Sequence, residues 1–178
     1  MSRINYRLLI LFAVLASMIV TGLSIGGRHD SGEGALLTFS INLHNGSDVL
    51  IDPAEIKIDG VIENRSEADI IINTRFAFPG PDVYLTVKRA DGEILRWLPP
   101  GVPRPPAKED FEILRSGQQI GFALVLRQND LYDKMTPGEY TAEARYVNTS
   151  GDEFGLRAWK GTLYSNTIAF RYDEPLNS

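Results

Sequence analysis

Apolar and polar side chains alternate with a period of two over residues 139–147, directly after the Pro137-Gly138 turn. Tyr, Ala, Ala and Tyr occupy one side of this segment, while Glu, Thr and Arg lie on the other. Because successive side chains of a strand point to opposite faces, the pattern predicts a strand that returns to the core after a crossover. Tyr140 comes directly after the turn, where a hydroxyl can tie the crossover loop to the strand. We therefore expect a buried ring whose hydroxyl binds backbone in the crossover at residues 131–135.

Short segments of the same kind recur from Leu36 onwards, separated by turn signals at the spacing of a sandwich. The predicted strands are residues 36–43, 56–64, 70–72, 83–88, 94–98, 111–114, 119–126, 139–147 and 163–172. Asp91-Gly92 predicts a hairpin, Asp59-Gly60 a bulge or tight bend, and residues 129–134 one helical turn. The fold class predicted is all-β, an Ig-like antiparallel β-sandwich of Greek-key type with an N-terminal hydrophobic helix.

The N-terminal segment differs from the rest, with a basic start and an almost unbroken apolar run. Arg3 and Arg7 precede residues 8–20, and the uncharged stretch continues to Gly27. A helix over these roughly 20 residues is about 30 Å long, enough to cross a bilayer. We expect residues 1–27 to be a signal peptide or a signal anchor, with the body outside the cytoplasm: membrane-anchored in the cell envelope, or periplasmic or secreted if cleaved. The other predicted divisions are a flexible tether (28–34), the sandwich domain (35–174) and a tail (175–178).

Charge and cysteine content narrow the function classes. Beyond Gly27 the chain has 16 Lys and Arg against 23 Asp and Glu, a net charge of −7. An acidic body argues against nucleic acid and against adsorption to anionic lipid, since both need a basic face. The chain has no cysteine, so its core must stabilise it without disulfides, and thiol catalysis is excluded.

Catalytic and metal-binding motifs are absent from the sequence. The chain has two histidines, His29 in the tether and His44 beside a turn, and no Gly-x-Ser-x-Gly elbow or His-Glu-x-x-His motif. We therefore expect no enzyme, no cofactor and no metal site. One alternative stays open, a calcium ion held by loop carboxylates, although no twelve-residue calcium loop is present. Its candidate ligands are Asp130, Asp133, Asp152 and Glu153.

Residues 97–106 form a Pro-rich segment, Trp-Leu-Pro-Pro-Gly-Val-Pro-Arg-Pro-Pro, with five prolines in its last eight positions. Such a run is extended and stiff, and it cannot join a ladder. It is either a contact loop or a rigid crossover with Trp97 covering its base. Trp97, Pro99, Pro103 and Arg104 are its candidate binding residues. We expect Arg104 to point outward, so that Arg104→Ala leaves stability nearly unchanged.

Residues 148–160 form a long connection between the last two strands. Phe154 and Trp159 make it too apolar for a simple solvent loop. These side chains either fold back over one end of the core or form a binding edge, and they complete the candidate site.

The second half of the chain carries a series of short motifs. In order, they are Leu85-x-Val87-x-Arg89-x-Asp91-Gly92, Trp97 with the Pro-rich run ending in Glu109-Asp110-Phe111, Leu114-x-Ser116-Gly117, Leu131-Tyr132-Asp133, Pro137-Gly138-Glu139-Tyr140 and Trp159-x-Gly161-x-Leu163-x-Ser165-Asn166. Residues 83–172 thereby resemble a bacterial family of exported Ig-like domains, most of them uncharacterised. The motif order is also similar to the non-catalytic β-domain that precedes deuterolysin-type metalloproteases. The resemblance implies an exported β-sandwich, and this chain lacks the zinc motif of those proteases.

Together these observations predict a non-catalytic, extracytoplasmic binding or accessory module of a bacterial cell envelope. Its partner would be an envelope protein, bound through the two loops, and its N-terminal segment would contact the membrane. A loop-inserting protease inhibitor is the alternative, because the Pro-rich segment has the stiffness that such a loop needs.

Overall fold

The computed structural model describes residues 37–46, 49–50, 55–78, 80–98, 102–131 and 133–173. The predicted N-terminal helix and signal segment, the tether, Pro99 and the tail lie outside these ranges. The strands are β1 (Leu37–Leu43), β2 (Val49–Leu50), β3 (Glu55–Asn64), β4 (Ile70–Asn73), β5 (Val83–Arg89), β6 (Phe111–Leu114), β7 (Gln119–Arg127), β8 (Gly138–Asn148) and β9 (Gly161–Tyr172). Within these ranges four 3-10 helices connect them: His44–Gly46, Lys108–Asp110, Gln128–Asp130 and Asp152–Phe154.

The strands form three sheets. One has the order β1-β3-β7, the second β2-β9-β8-β5, and β4 pairs with β6. All pairs are antiparallel except the two-residue β2, which runs parallel to the end of β9. The described residues contain no α-helix. The prediction of an all-β chain with antiparallel sheets is therefore confirmed.

Alternation in the sequence places one face of each large sheet in a shared core. On β8, Tyr140, Ala142, Ala144 and Tyr146 are all buried, and β3 buries Ile56, Ile58 and Ile62 in the same way. The buried side chains of both large sheets and of β4 belong to one hydrophobic cluster. The period-two pattern predicted this arrangement because side chains on a strand alternate between faces.

Tyr140 has the predicted burial but a different partner. Its ring is 1% exposed, and its hydroxyl donates to the carbonyl of Thr136 (2.7 Å) while accepting from the N–H of the same residue (3.0 Å). The partner is therefore Thr136, not a residue of 131–135. The hydrogen bond joins two residues four positions apart, so it closes a local turn at the end of the crossover.

The predicted irregularity at Asp59-Gly60 is wrong. β3 runs through it unbroken, with Gly60 opposite Ile41 on one side and Phe122 on the other. A glycine is needed there because a Cβ would stand 2.7 Å from the ring of Phe122.

The register shift lies instead between β8 and β9. Glu143 is opposite Thr167, but Arg145 is opposite Tyr164, so β9 contains the extra residue at Ser165-Asn166. The amide of Asn166 accepts from the N–H of Ile41 (2.8 Å) and donates to its carbonyl (3.0 Å). It thereby links the edge of β1 to the other sheet.

The predicted strand at residues 94–98 is also wrong, because this segment changes partner too soon to form one. Leu95 donates its N–H to Val87 of β5 (2.9 Å), whereas Leu98 donates to Asp130 (2.8 Å), which follows β7. The helical turn expected at residues 129–134 is a 3-10 helix at Gln128–Asp130. The segment therefore closes the side of the sandwich between the two sheets.

Candidate functional site

The Pro-rich segment and the connection at 148–160 meet at one end of the sandwich, beside the β4–β6 sheet. Thr74, which follows β4, donates both its N–H (2.7 Å) and its hydroxyl (2.9 Å) to the carbonyl of Asp110. Phe111, the next residue, has its ring centroid 5.7 Å from that of Phe154. The two segments selected from the sequence are thus linked indirectly, because Asp110 binds Arg104 and the adjacent Phe111 contacts Phe154.

The Pro-rich segment and the loop between β4 and β5 line a cleft of about 480 Å³. Its lining residues are 74–77, 80–81, 102–104 and Asp110, and we call it the Arg104 cleft. Val102 and Pro103 form an exposed rim, and Phe76 forms an apolar wall by stacking on Phe122 at 4.1 Å. The cleft thus combines an apolar wall with charged side chains.

Arg104 is anchored by Asp110. Its Nη1 donates to one carboxylate oxygen at 2.7 Å and its Nη2 donates to the other, a bidentate geometry. The N–H of Ala107 donates to the same carboxylate at 2.7 Å. The Asp110 side chain is 7% exposed, but 61% of the Arg104 side chain faces solvent. The guanidinium faces solvent as expected, but it also pairs with a buried carboxylate. That Arg104→Ala leaves stability nearly unchanged stays a prediction.

The electrostatics of this pair favour the charged forms. Hydrogen bonding from Arg104, the largest cause, and from the N–H of Ala107 lowers the pKa of Asp110, although burial opposes the shift. The same carboxylate raises the pKa of the Arg104 guanidinium. The pair therefore fixes the end of the Pro-rich segment and leaves one side of the guanidinium accessible.

A second pair, Arg75 with Asp82, lies beside the first. The Nε of Arg75 is 2.8 Å from Asp82 Oδ2, and these side chains are 10% and 16% exposed. Asn73 donates its amide to the same oxygen at 3.1 Å. Burial raises the pKa of Asp82, because desolvation outweighs the lowering by Arg75 and Asn73. Arg75 also donates to the carbonyl of Arg104 at 3.1 Å, so the two pairs are connected.

Trp97 packs into the fold. Its Nε1 donates to the carbonyl of Leu85 at 2.7 Å, and its ring meets that of Phe78 edge-on at 4.8 Å. Pro103 is exposed at the cleft. Of the four candidates in the Pro-rich segment, Pro103 and Arg104 line the cleft, Trp97 packs on Phe78 and β5 outside it, and Pro99 is outside the described residues.

Phe154 and Trp159 lie next to this end but not in the cleft. Phe154 contacts Phe111, and Trp159 stacks on Tyr146 with the ring centroids 5.9 Å apart. The N–H of Trp159 donates to the carbonyl of Ile71 on β4 (2.8 Å). Both aromatic side chains are half-buried. Their contacts match the alternative in which they fold back over the end of the core.

Sequence reasoning missed the polar residues that build this end. Asn73, Arg75, Asp82 and Asp110 form its network, and the hydroxyl of Tyr146 donates to the carbonyl of Asn73 at 2.7 Å. Tyr146 and Asn73 are 73 residues apart, and the other partners are six to nine residues apart across irregular loops, so no regular spacing indicates them. One local signal was available for Asp110, which follows the proline run by four residues. Its carboxylate accepts the N–H of Ala107, three positions earlier, and this is one of the two hydrogen bonds of a capping box.

Three of the four loop carboxylates considered for calcium have other partners, whereas Oδ2 of the fourth, Asp130, is buried without a hydrogen-bond partner among the described residues. Asp133 binds Arg96 through both oxygens, Asp152 binds Lys160, and Glu153 accepts a backbone N–H. Among the residues that the structure describes, no group of three or more His, Cys, Asp and Glu side chains could hold a metal ion. Within the same ranges, no helix has the length and hydrophobicity to cross a membrane.

Comparisons with known proteins give weak structural likeness only. No family model matches the chain, and no curated protein matches it. A CARDB domain from Pyrococcus furiosus, solved with di-metal ions, is 12% identical with a TM-score of 0.39, over 82% of this chain and 99% of that one. A β-glucosidase from Erythrobacter marinus is 11% identical (TM-score 0.38), covering 78% of this chain and 16% of the enzyme. β-Glucosidase 3B from Thermotoga neapolitana is 15% identical (TM-score 0.33), covering 77% of this chain and 17% of the enzyme.

The chain thus spans about a sixth of the length of these glucosidases. At such TM-scores the likenesses identify no family. The resemblance to exported Ig-like domains and to the domain preceding deuterolysin-type proteases stays a prediction.

Proposed function

We propose that residues 35–174 are an Ig-like β-sandwich that acts as a non-catalytic binding or accessory module of a bacterial cell envelope. The strand orders β2-β9-β8-β5 and β1-β3-β7 support the Ig-like part of the proposal, as does the bond from Tyr140 to Thr136 at the start of β8. Residues 1–27 would hold the domain at the membrane or direct its export. The partner would be a protein of the envelope, bound at the Arg104 cleft.

Val102 is the observation that carries the binding proposal. It is a fully exposed branched aliphatic side chain, 101% exposed, at the rim of the cleft. Two residues later the chain is fixed by Arg104 and its carboxylate partner. A side chain presented on a stiff, anchored segment loses little conformational entropy when a partner covers it. The exposed guanidinium of Arg104 beside it adds one of the residue types enriched at energetic centres of interfaces.

Partner capture with two matched variants tests this proposal. The tagged full-length chain is incubated with envelope extract of the bacterium of origin, and bound proteins are quantified by mass spectrometry. Val102→Asp should lower capture of a partner at least tenfold, because a charge replaces the exposed apolar contact. Ile94→Asp is the control, since Ile94 is 52% exposed but sits at the Asp91-Gly92 hairpin. Equal capture by both variants and the unaltered chain would exclude the cleft as the binding surface.

A loop-inserting protease inhibitor is the second candidate. It is favoured by the anchoring of the Pro-rich segment, since Arg104 and Ala107 both bind the carboxylate of Asp110 and keep the loop in one conformation. An inhibitor would block an envelope protease at one-to-one stoichiometry, and Val102→Asp would weaken the block. Titration of the purified chain against proteases with fluorogenic peptides measures this, and unchanged hydrolysis at a tenfold molar excess of the chain contradicts it.

The proposed location has its own measurement. If residues 1–27 remain as an anchor, the mature chain keeps its Met1 end and stays in the membrane fraction after carbonate extraction. An N-terminal sequence starting near Leu23, Ile25 or Gly27 would instead show cleavage of a signal peptide.

A further inference from the structure

Five of the six sheet edges are short or covered by other parts of the chain. Residues 94–98 lie along β5, and Trp159 binds the backbone of β4. The amide of Asn166 takes both backbone groups of Ile41 on β1. β2 has two residues and β6 has four, including Glu112. Short strands, charges and covering segments are the means by which proteins prevent edge-to-edge pairing.

The sixth edge, the outer side of β7, is longer, and its one charged residue is Arg127 at its C-terminal end, next to the point where Leu98 binds Asp130. β7 is nine residues long, Gln-Ile-Gly-Phe-Ala-Leu-Val-Leu-Arg, without proline, lysine or bulge. It pairs with β3 along its whole length, and in the described part of the chain no other strand pairs with it. Gly121 and Ala123 are exposed on its outer face, while Leu124 and Leu126 are buried beneath. A long, regular and largely apolar edge is a template for another strand.

We propose that β7 is a self-association edge, at which a second copy of this chain adds its own β7 antiparallel around a two-fold axis at Ala123. Two copies would then share a continuous sheet of six strands, β1-β3-β7 from each. The same patch is used twice, as a closed two-fold dimer requires. This inference is independent of the Arg104 cleft.

The register of β7 against itself supports a second copy as the occupant. With Ala123 opposite Ala123, Arg127 of each copy faces Gln119 of the other, so no like charges are opposed. Small residues meet on the outer face, because Gly121 faces Val125. Glu63, the neighbour of Gln119 on β3, places a carboxylate in the same row as the incoming Arg127. The edge is therefore complementary to itself in charge and in size.

Cysteine cross-linking tests the register directly, since the chain contains no cysteine. Paired residues of antiparallel strands have Cα atoms about 4.5–5.5 Å apart, within the range that a disulfide spans. Full-length Ala123→Cys, expressed in bacterial cells and oxidised with copper–phenanthroline, should give a covalent dimer on a non-reducing gel. We expect the dimer fraction to be at least tenfold above that of Ser40→Cys, an exposed position on the covered strand β1.

Gln119→Cys is the register control on the same edge. In the proposed pairing the two Gln119 positions are eight residues apart along the strands, about 27 Å, and cannot be bridged. The double variant with Gln119→Cys and Arg127→Cys brings unlike positions together and should cross-link, and it tests the proposal again if Ala123→Cys folds poorly. Absence of a dimer in both Ala123→Cys and the double variant would overturn the proposal. Equal cross-linking of Gln119→Cys and Ala123→Cys would also overturn it, because random collision or another register would then explain the product.

Discussion

β8 carries one buried tyrosine near each of its ends, and different parts of the chain hold the two. Tyr140 binds Thr136, four residues away, and stacks on Phe170 of the neighbouring strand. Tyr146 binds the carbonyl of Asn73, which is 73 residues away, and its ring contacts others from outside its own sheet. The hydroxyl of Tyr140 is thus held by a residue that is local in sequence, and the hydroxyl of Tyr146 by a distant segment.

This difference shows where the candidate site gains its rigidity. Four segments meet at the Tyr146 end: the end of β4, the loop before β5, the Pro-rich segment and the connection at 148–160. Arg75 and Asp82 are mostly buried and paired, and Arg75 also binds the carbonyl of Arg104. The N–H of Trp159 binds the carbonyl of Ile71, so these segments hold one another. A partner at the Arg104 cleft would bind a surface to which several segments contribute, whereas the hairpin at Asp91-Gly92 is held mainly by its own contacts and by the bond from Ala90 to Glu139 of β8.

Truncation of the two tyrosine rings is the largest test of this comparison. Removing a buried aromatic ring costs about 3–5 kcal/mol. We expect Tyr146→Ala to lie at the upper end of this range and Tyr140→Ala at the lower end, because Tyr146 also supports Phe76 and Trp159. Urea unfolding of residues 28–178 measures both. A larger loss for Tyr140→Ala would reverse the comparison.

Removal of one carboxylate at each end of the sandwich should give the next largest difference in stability. Asp110→Ala leaves the N–H of Ala107 and the guanidinium of Arg104 without their buried acceptor, and should lower the free energy of unfolding by about 1–3 kcal/mol. Asp91→Ala removes an exposed ion pair with Arg89 and should leave the urea midpoint nearly unchanged. Equal midpoints for both variants would mean that Asp110 does not hold the Pro-rich segment.

Removal of the hydroxyl alone separates the two tyrosines more finely. Tyr140→Phe should cost about 1 kcal/mol, the usual net value of one hydrogen bond, because Thr136 is exposed and water can replace the hydroxyl. Tyr146→Phe leaves the carbonyl of Asn73 unpaired, and Asn73 is 1% exposed, so about 1–3 kcal/mol is expected. The difference in urea midpoint between these variants is the measurement. Identical values would imply that water reaches Asn73.

The smallest expected effect is a change of stability at acidic pH, caused by Asp133 in the crossover before Tyr140. Hydrogen bonds from the side chain and the N–H of Arg96 lower the pKa of Asp133 from 3.8 to about 2. A lowered folded pKa contributes stability above the unfolded value, and this stability is lost as the pH falls through the folded value. The stability difference between the unaltered chain and Asp133→Asn should therefore be full at pH 5 and disappear near pH 2. In a chain that also carries Arg96→Gln, this pH dependence of the stability difference should weaken. A stability difference that stays constant from pH 5 to pH 2 would contradict the lowered pKa of Asp133.

Local patterns predicted much of the fold, and the errors have identifiable causes. The strands at 56–64, 83–88 and 139–147 were found within one or two residues, because alternation fixes both the conformation and the buried face. Gly60 was misread since a glycine beside an aspartate signals a bend, whereas here it admits the ring of Phe122. Residues 94–98 have strand composition, yet their hydrogen bonds go to two different segments.

The candidate site divides in the same way. Pro103 and Arg104 were selected because a run of prolines is stiff whatever surrounds it. Asp110 was not selected, because an aspartate after a proline run has many possible partners and only the folded chain brings it to Arg104.

The sequence by itself determined the all-β class, the inward face of each main strand and the burial of Tyr140 after the crossover. These follow from contacts within a few residues, where the geometry of a strand or a turn leaves one solution. The tertiary structure alone decided the partner of Arg104, the tie between Tyr146 and Asn73, the clamp of Asn166 on β1 and the open edge of β7. The last three depend on which distant segments pack together, and the core as a whole decides that. Burial of apolar surface is favourable in many arrangements, whereas a buried polar group needs a specific partner at hydrogen-bond distance.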